Sequence, residues 1–436
     1  MARRYWLETL GCPKNQVDSD KLAGTLSAEG YRPAAGVAEA DLVVVNTCAF
    51  IDEARRESLA AIDGLAAQRR AGSRLVVTGC LAERSGAELR RDRPEIDAVA
   101  GFGQPLAPES ARRGRGRRRR LQVAGGGPAP RMDLLNLPRP PAAAPWAYVK
   151  VAEGCDRRCG YCAIPTFRGP QRSRRPEAVL AEIEALGVQE VVLVAQDLAS
   201  YGRDGGRGER KLVPLVEAAR DLVPWVRLLY LYPSDLSDEL IAAILASGVA
   251  YFDLSLQHAS RPLLRRMRRW GDGERFAARI AEIRRQAPHA AFRSNFIVGY
   301  PGETEEDHDA LLAFAAEAQL EWVGVFAYSE EQGTYAAGLE GEVPSPLVAE
   351  RVAELRELCD EITEQRRRSL VGTTATVLVD RPGRARSHRE APEIDGVVEV
   401  PEDLPPGTFA AVQIVGAAGV DLMAGPPVGA SAGAAR

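Results

Sequence analysis

Along the first hundred residues, short apolar runs alternate with longer stretches of mixed polarity. Tyr5–Leu10, Asp41–Asn46 and Arg74–Thr78 are apolar-rich and short enough to be buried strands. Segments near 15–29, 52–70 and 83–91 lie between and after them and suit helices. Strand–helix–strand repetition at this spacing predicts parallel pairing, and so an N-terminal α/β sandwich with a parallel sheet over residues 1–104.

The alternation resumes for longer between 141 and 369. Trp146–Val151, Glu190–Ala195, Arg227–Leu231, Tyr251–Leu256, Ala291–Val298 and Trp322–Ala327 are candidate strands, each followed by a helix-compatible segment. Six βα units fit a partial (βα)6 barrel better than an open doubly wound sheet. A long helix from about Pro346 to Ser369 closes the region, with Val348, Val352, Leu355, Cys359 and Ile362 forming one apolar stripe. Over 371–436, short runs (Thr374–Val379, Val397–Val400, Phe409–Val415) separated by Gly, Pro and Asp predict a small all-β barrel with a frayed Gly/Ala tail. The fold class is therefore α/β multidomain.

Composition changes this picture at one place. Residues 105–140 are rich in Pro and Gly and contain Arg112, Arg113, Arg115, Arg117, Arg118, Arg119 and Arg120. Such a segment resists core formation and reads as a solvated linker, or alternatively as a contact to nucleic acid or a ribosome surface. The whole chain is nearly balanced, with 56 basic and 60 acidic residues, which excludes a polycation that coats nucleic acid. Residues 371–436 carry eight acids against five arginines, better suited to a basic partner than to a phosphate backbone. The N-terminus lacks the apolar core of a secretory signal, and no uncharged apolar stretch of about 18 residues suggests a membrane span. Seven cysteines in 436 residues are too sparse for a secreted disulfide scaffold. A cytoplasmic, reducing location without membrane contact is expected.

Six of those cysteines carry the chemistry. Cys155, Cys159 and Cys162 form a C-x₃-C-x₂-C cluster just after the first strand of the central region, with Gly154 and Gly160 allowing a tight loop. A zinc site would ordinarily add a fourth Cys or His, and none is close in sequence. Three thiolates suit a 4Fe-4S cluster with one iron open to a small molecule. Cys12, Cys48 and Cys80 are far apart in sequence, yet each follows the end of one predicted strand. In a parallel sheet those ends share one edge, so the three converge as a second tripod. Their plainer reading is three small buried side chains. Cys359 lies on the apolar stripe and is expected to pack in the core.

The cysteine cluster, with Tyr161 before its last member, resembles the signature of radical S-adenosylmethionine (SAM) enzymes. The second tripod and the C-terminal barrel narrow the resemblance to methylthiotransferases, whose modules would be the N-terminal domain, the radical core over 141–369 and a TRAM barrel over 371–436. Leu10–Ser19, Leu256–Ser260 and Ala391–Gly396 resemble the RimO type, which modifies a ribosomal protein, more than the MiaB type, which modifies an adenosine in tRNA. The resemblance implies two 4Fe-4S clusters, held by Cys155/Cys159/Cys162 and by Cys12/Cys48/Cys80. It implies S-adenosylmethionine as both the 5′-deoxyadenosyl radical source and the methyl donor. The acceptor would be the β-carbon of an aspartate in ribosomal protein S-twelve, met free or on the ribosome. A sulfur donor and a low-potential electron donor such as flavodoxin or ferredoxin would complete the reaction. Phe296–Thr304 resembles the core segment near the adenosyl group, making Gly299 and Glu303 cofactor-binding candidates beside Tyr161; Gln196 and Gln257 are added because the barrel reading puts them at strand ends facing the mouth. His258 has no metal-like partner nearby in the sequence and is a poor candidate. Tyr328–Thr334 carries Glu330 and Glu331 where tRNA-modifying relatives have an arginine; Gln332 departs from the RimO pattern and is assigned no role. No general acid or base is assigned.

Overall fold

The computed structural model describes residues 2–106, 133–205 and 208–427. They fall into two compact units, Met1–Pro140 and Pro141–Arg436. The arginine run at 112–120 and the Gly/Ala tail lie outside the described residues. No described helix is long and apolar enough to cross a membrane.

In the first unit the chain runs β1 (Arg4–Thr9), α1 (Pro13–Ala28), β2 (Arg32–Pro33), β3 (Leu42–Thr47), α2 (Asp52–Gln68), β4 (Arg74–Gly79), α3 (Cys80–Asp92) and β5 (Ala98–Val99). The sheet order is β2-β1-β3-β4-β5 and every pairing is parallel. All six residues of β3 are buried, as expected of a central parallel strand covered on both faces. The two-residue strands β2 and β5 leave no periodic signal in the sequence. Residues 133–140, expected within the linker, belong to this unit: Leu135 is buried and Lys21 donates to its carbonyl. Buried Leu135 with the Lys21 amine, and an ion pair between Arg139 and Asp20, hold the segment against α1, pairings the local composition hides.

The second unit begins with β6 (Trp146–Lys150), β7 (Ala152–Glu153), α4 (Ile164–Arg168), β8 (Arg172–Ser173), α5 (Pro176–Leu186), β9 (Glu190–Val194), α6 (Leu212–Arg220), β10 (Trp225–Leu228) and α7 (Asp238–Leu245). It continues with β11 (Tyr251–Gln257), α8 (Arg261–Arg266), α9 (Gly273–Gln286), β12 (Ala291–Val298), α10 (Glu305–Ala318), β13 (Trp322–Ala327) and α11 (Ser345–Arg368). The six long strands form two parallel three-stranded sheets, β10-β9-β6 and β11-β12-β13, joined by one bridge between Leu231 and Leu254. β10 stops at Leu228, three residues before the expected end, because Tyr230 turns left-handed (φ 76°) and leads the chain out of the sheet. The result is a partial barrel. Leu355, Cys359 and Ile362 of α11 are buried against it, so Cys359 is core.

The small barrel is closed: β14 (Thr374–Arg381), β15 (Arg384–Arg386), β16 (Val398–Glu399), β17 (Phe409–Ala418) and β18 (Asp421–Pro427). β15 and β18 escape the sequence reading because each carries few strong apolar residues. The segment after β15 fastens this barrel to the strands of the larger one. Tyr148 and Tyr251 donate to the Pro392 carbonyl and the Asp395 carboxylate, each at 2.6 Å, and Trp322 donates to the Arg389 carbonyl at 2.7 Å. Glu190 joins Arg227 (2.7 Å) and Arg386 (2.6 Å) in a fully buried network. Burial pushes the Asp395 carboxyl up to about 6. Within Ala391–Gly396, Asp395 is thus spent on internal packing.

Candidate functional site

In the second unit, the cysteine loop runs between β7 and α4. Gly154 is left-handed (φ 78°), and a Cβ there would lie 2.1 Å from the Pro170 carbonyl oxygen, so glycine is required where the loop closes through Cys155 N–H to the Gly169 carbonyl. Cys155, Cys159 and Cys162 are not in disulfides and lie close enough to influence one another's charge. Burial pushes the Cys155 thiol up to about 11 and the Cys162 thiol up to about 12. Holding thiolates here therefore requires positive charge nearby. Arg269 supplies some: its Nη1 lies 3.2 Å from Cys159 Sγ and 3.4 Å from the Tyr161 hydroxyl. Burial opposes the Arg269 charge, but Tyr161, Cys159 and Tyr232 hold the guanidinium protonated.

Tyr232 lies between two guanidinium groups, Arg157 at 3.8 Å and Arg269 at 4.3 Å from its ring centre. Arg157 is in turn fixed by Asp197 (2.6 Å) and by Asp235, while its backbone N–H points to Cys155 Sγ at 3.4 Å. Among the described residues, no three His, Cys, Asp or Glu side chains are arranged to hold a single metal ion. Three soft thiols without carboxylate or imidazole fit an iron–sulfur cluster, a larger group.

The other candidates surround this loop in different ways. Gln196 donates to Glu153 at 2.9 Å, and its amide oxygen is buried without a hydrogen-bond partner. Glu153, squeezed by burial but paired with Arg168 and Lys150, is held down at about 2. Gln257 has a left-handed backbone (φ 74°) after a register shift in β11, a strained conformation in which the end of the strand is re-aimed. Glu303 folds back to accept from Gly299 N–H and Tyr300 N–H and pairs with Arg351 at 3.1 Å. Both its oxygens are engaged, so Glu303 shapes the Gly299 turn. Thr304 and Asp307 complete a capping box on α10. His258 is fully buried, accepts from Ser260 N–H and is pushed down to about 3 by burial, which keeps it neutral.

In the first unit, the ends of adjacent strands β1, β3 and β4 place Cys12, Cys48 and Cys80 along one sheet edge. Cys12 caps α1 and Cys80 opens α3, and the N-terminus of a helix favours thiolate. Asn15, which is fully buried, ties the three ends together. Its amide donates to the Leu10 carbonyl (2.9 Å) and the Thr47 carbonyl (3.1 Å), and its oxygen is 3.8 Å from Cys80 Sγ. A Cβ on left-handed Gly11 would lie 2.9 Å from Cys48 Sγ, so the first strand end also abuts the second cysteine. Ser58 bonds both the N–H and the carbonyl of Cys48. The same donor argument makes this tripod fit an iron–sulfur cluster. Asn15, Ser58, Arg157, Tyr232 and Arg269 have no motif of their own; Asn15 and Arg157 fall within segments already singled out, Leu10–Ser19 and the Cys155–Cys162 loop.

The acid excess of the small barrel is partly internal. Asp380, Glu390 and Asp395 pair with Arg386, Arg367 and Arg293. Glu393, Glu399, Glu402 and Asp403 remain exposed against Arg381 and Arg384, so its surface is still acidic.

Comparison with known proteins agrees with this architecture. Uncharacterized protein family UPF0004 matches residues 4–101, the Radical SAM superfamily 149–315 and the TRAM domain 371–426. A solved radical SAM methyltransferase, TsrM from Kitasatospora setae, superposes with a TM-score of 0.51 at 16% identity, covering 75% of this chain and 72% of its own. Fold, cysteine loop and matches define a radical SAM enzyme, whose cofactors are an iron–sulfur cluster and S-adenosylmethionine. Curated relatives similar to this chain, two of which follow, bear the name ribosomal protein uS12 methylthiotransferase RimO. The one from Saccharopolyspora erythraea is 41% identical over 99% of this chain and 96% of its own length, and the one from Moorella thermoacetica 43% over 93% and 95%. The chain belongs to this RimO family of radical SAM methylthiotransferases.

Proposed function

We propose that this enzyme methylthiolates the β-carbon of an aspartate in ribosomal protein S-twelve, in the cytoplasm. The observation that carries the reading is identity above 40% across nearly the whole length of relatives bearing that name. The exposed acid excess of the small barrel supports a basic protein acceptor over RNA.

In this reading Cys155, Cys159 and Cys162 hold the cluster that binds S-adenosylmethionine, and Cys12, Cys48 and Cys80 hold a second. Together the bound groups supply removal of a hydrogen atom from an unactivated carbon and the methylthio group that replaces it. The protein positions and insulates them. Arg269 offsets thiolate charge at Cys159, Tyr161 and Tyr232 shield that side of the loop from water, and Asp197 and Asp235 fix Arg157 against Cys155. Gln196 and Gln257 offer polar groups to the cofactor, and Glu303 holds the Gly299 turn in shape. Flavodoxin or ferredoxin would deliver electrons, and a separate donor would restore sulfur.

The test is intact-mass analysis of small-subunit ribosomal proteins treated with reconstituted enzyme, reductant and S-adenosylmethionine. One added methylthio group on ribosomal protein S-twelve is expected. Its absence together with modification of tRNA would overturn the reading in favour of the MiaB type.

A further inference from the structure

The outer wall of the partial barrel carries a groove that the assigned chemistry leaves unused. It has a volume of about 500 Å³ and lies between the segment leading into α7 and α9, floored by Leu236, Leu254, Leu256 and Phe276. Leu254 and Leu256 also belong to the core under α9. The groove is therefore on the helix-bearing face of β11, outside the mouth. Trp270 forms one lip, 44% exposed although packed against Phe276 with ring centres 6.2 Å apart. A large exposed ring above an apolar floor is the composition of a contact surface.

This lip backs the cysteine loop. Trp270 N–H donates to the Tyr232 hydroxyl, and the preceding residue, Arg269, reaches inward to Cys159 Sγ at 3.2 Å. The surface around the lip is positive. Arg261–Trp270 holds five arginines and no acid. Arg261, Arg265, Arg266 and Arg268 are exposed, as is Arg285 in the groove, and none of these five forms an ion pair among the described residues. Arg279 is taken up by Asp238 (2.5 Å) and Glu282 (2.6 Å), and Arg275 lies 3.5 Å from Asp272. Against the five unpaired arginines stand three exposed acids: Glu274 in α9, and Glu340 and Glu342 beside Arg266, which bonds the Glu340 carbonyl at 2.8 Å. The local excess is positive in a chain of net charge −4.

We infer that this groove docks the one-electron donor, a carrier protein with an acidic face around its redox centre. The inference rests on the proposed radical chemistry and adds where the electron enters. Unpaired arginines around an apolar floor match a negative protein surface. Position selects a redox partner. S-adenosylmethionine and the acceptor fill the mouth when the electron is needed, whereas the groove approaches the Cys159 side of the loop from outside. A phosphate backbone would match the arginines but leave the leucine and phenylalanine floor unfilled. In the step itself the carrier's reduced centre loses one electron and the cluster proposed at Cys155, Cys159 and Cys162 gains it; no bond or proton moves.

Calorimetric titration of reconstituted holoenzyme with a flavodoxin of net negative charge, at low salt, tests the contact. Arg285→Glu should raise Kd about fivefold and the double variant Arg275→Glu/Arg285→Glu about twentyfold. Both penalties should shrink as salt rises, and Arg285→Lys, which keeps the charge, should bind within about twofold of the unsubstituted enzyme. Flavodoxin-driven formation of 5′-deoxyadenosine should fall in step with binding, whereas dithionite, which needs no docking, should drive it at the unsubstituted rate. No binding by the unsubstituted enzyme, or an unchanged Kd in the double variant, overturns the inference. Equal slowing with dithionite overturns it too, by marking a structural role for the arginines. Loss of ribosomal RNA binding with flavodoxin binding intact overturns it in favour of a nucleic-acid contact. Absence of 5′-deoxyadenosine with dithionite in the unsubstituted enzyme would instead refute the proposed function.

Discussion

The two cysteine tripods present the same donor set built in opposite ways. Cys155, Cys159 and Cys162 sit within eight consecutive residues, in a loop that folds around a required glycine and leans on Arg269. Cys12, Cys48 and Cys80 come from three strand ends and are brought to one edge by sheet order, with Asn15 bonded across the ends. The first tripod depends on local backbone geometry, the second on the integrity of a domain. The buried positive charge beside the first would favour reduction of the cluster proposed there. Helix N-termini perform the corresponding service at Cys12 and Cys80.

The largest expected effect breaks the comparison outright. Cys159→Ala should reduce 5′-deoxyadenosine formation to background on reduction with dithionite, because the cluster proposed at that loop would lose a ligand. Cys48→Ala should preserve that cleavage and abolish methylthio transfer, measured as product mass; loss of both activities in a folded variant would count against separate tasks. Arg269→Met should come next. Removing a charged donor from Cys159 Sγ should lower the reduction potential of the cluster and slow cleavage about tenfold, with Arg269→Lys intermediate. Asn15→Ala leaves two buried carbonyls short of a donor and should destabilise the first unit by about 2 kcal/mol in thermal unfolding. Ser58→Ala, which removes the hydroxyl bridging Cys48, should cost about 1 kcal/mol.

How far the sequence discloses each tripod follows from the same contrast. The C-x₃-C-x₂-C loop is legible because its spacing is the structure. The strand-end tripod is legible only through the apolar runs that mark β1, β3 and β4, since those fix which residues share an edge. The six long strands of the partial barrel could be read from their apolar runs, whereas β2, β5 and β15 are too short to make a pattern. Arg269 and Tyr232 could not be foreseen, because their roles depend on cation–ring stacking between segments far apart in sequence. The small barrel's charge is countable, but its distribution is not: Asp380, Glu390 and Asp395 are taken up in internal ion pairs that no local sequence feature announces.

Iron and acid-labile sulfide counting on anaerobically reconstituted protein tests the two-tripod account most directly. Two four-iron clusters predict about eight irons per chain, falling to about four in Cys48→Ala and in Cys159→Ala alike. A count near four in the unsubstituted protein, unchanged by Cys48→Ala, would contradict it.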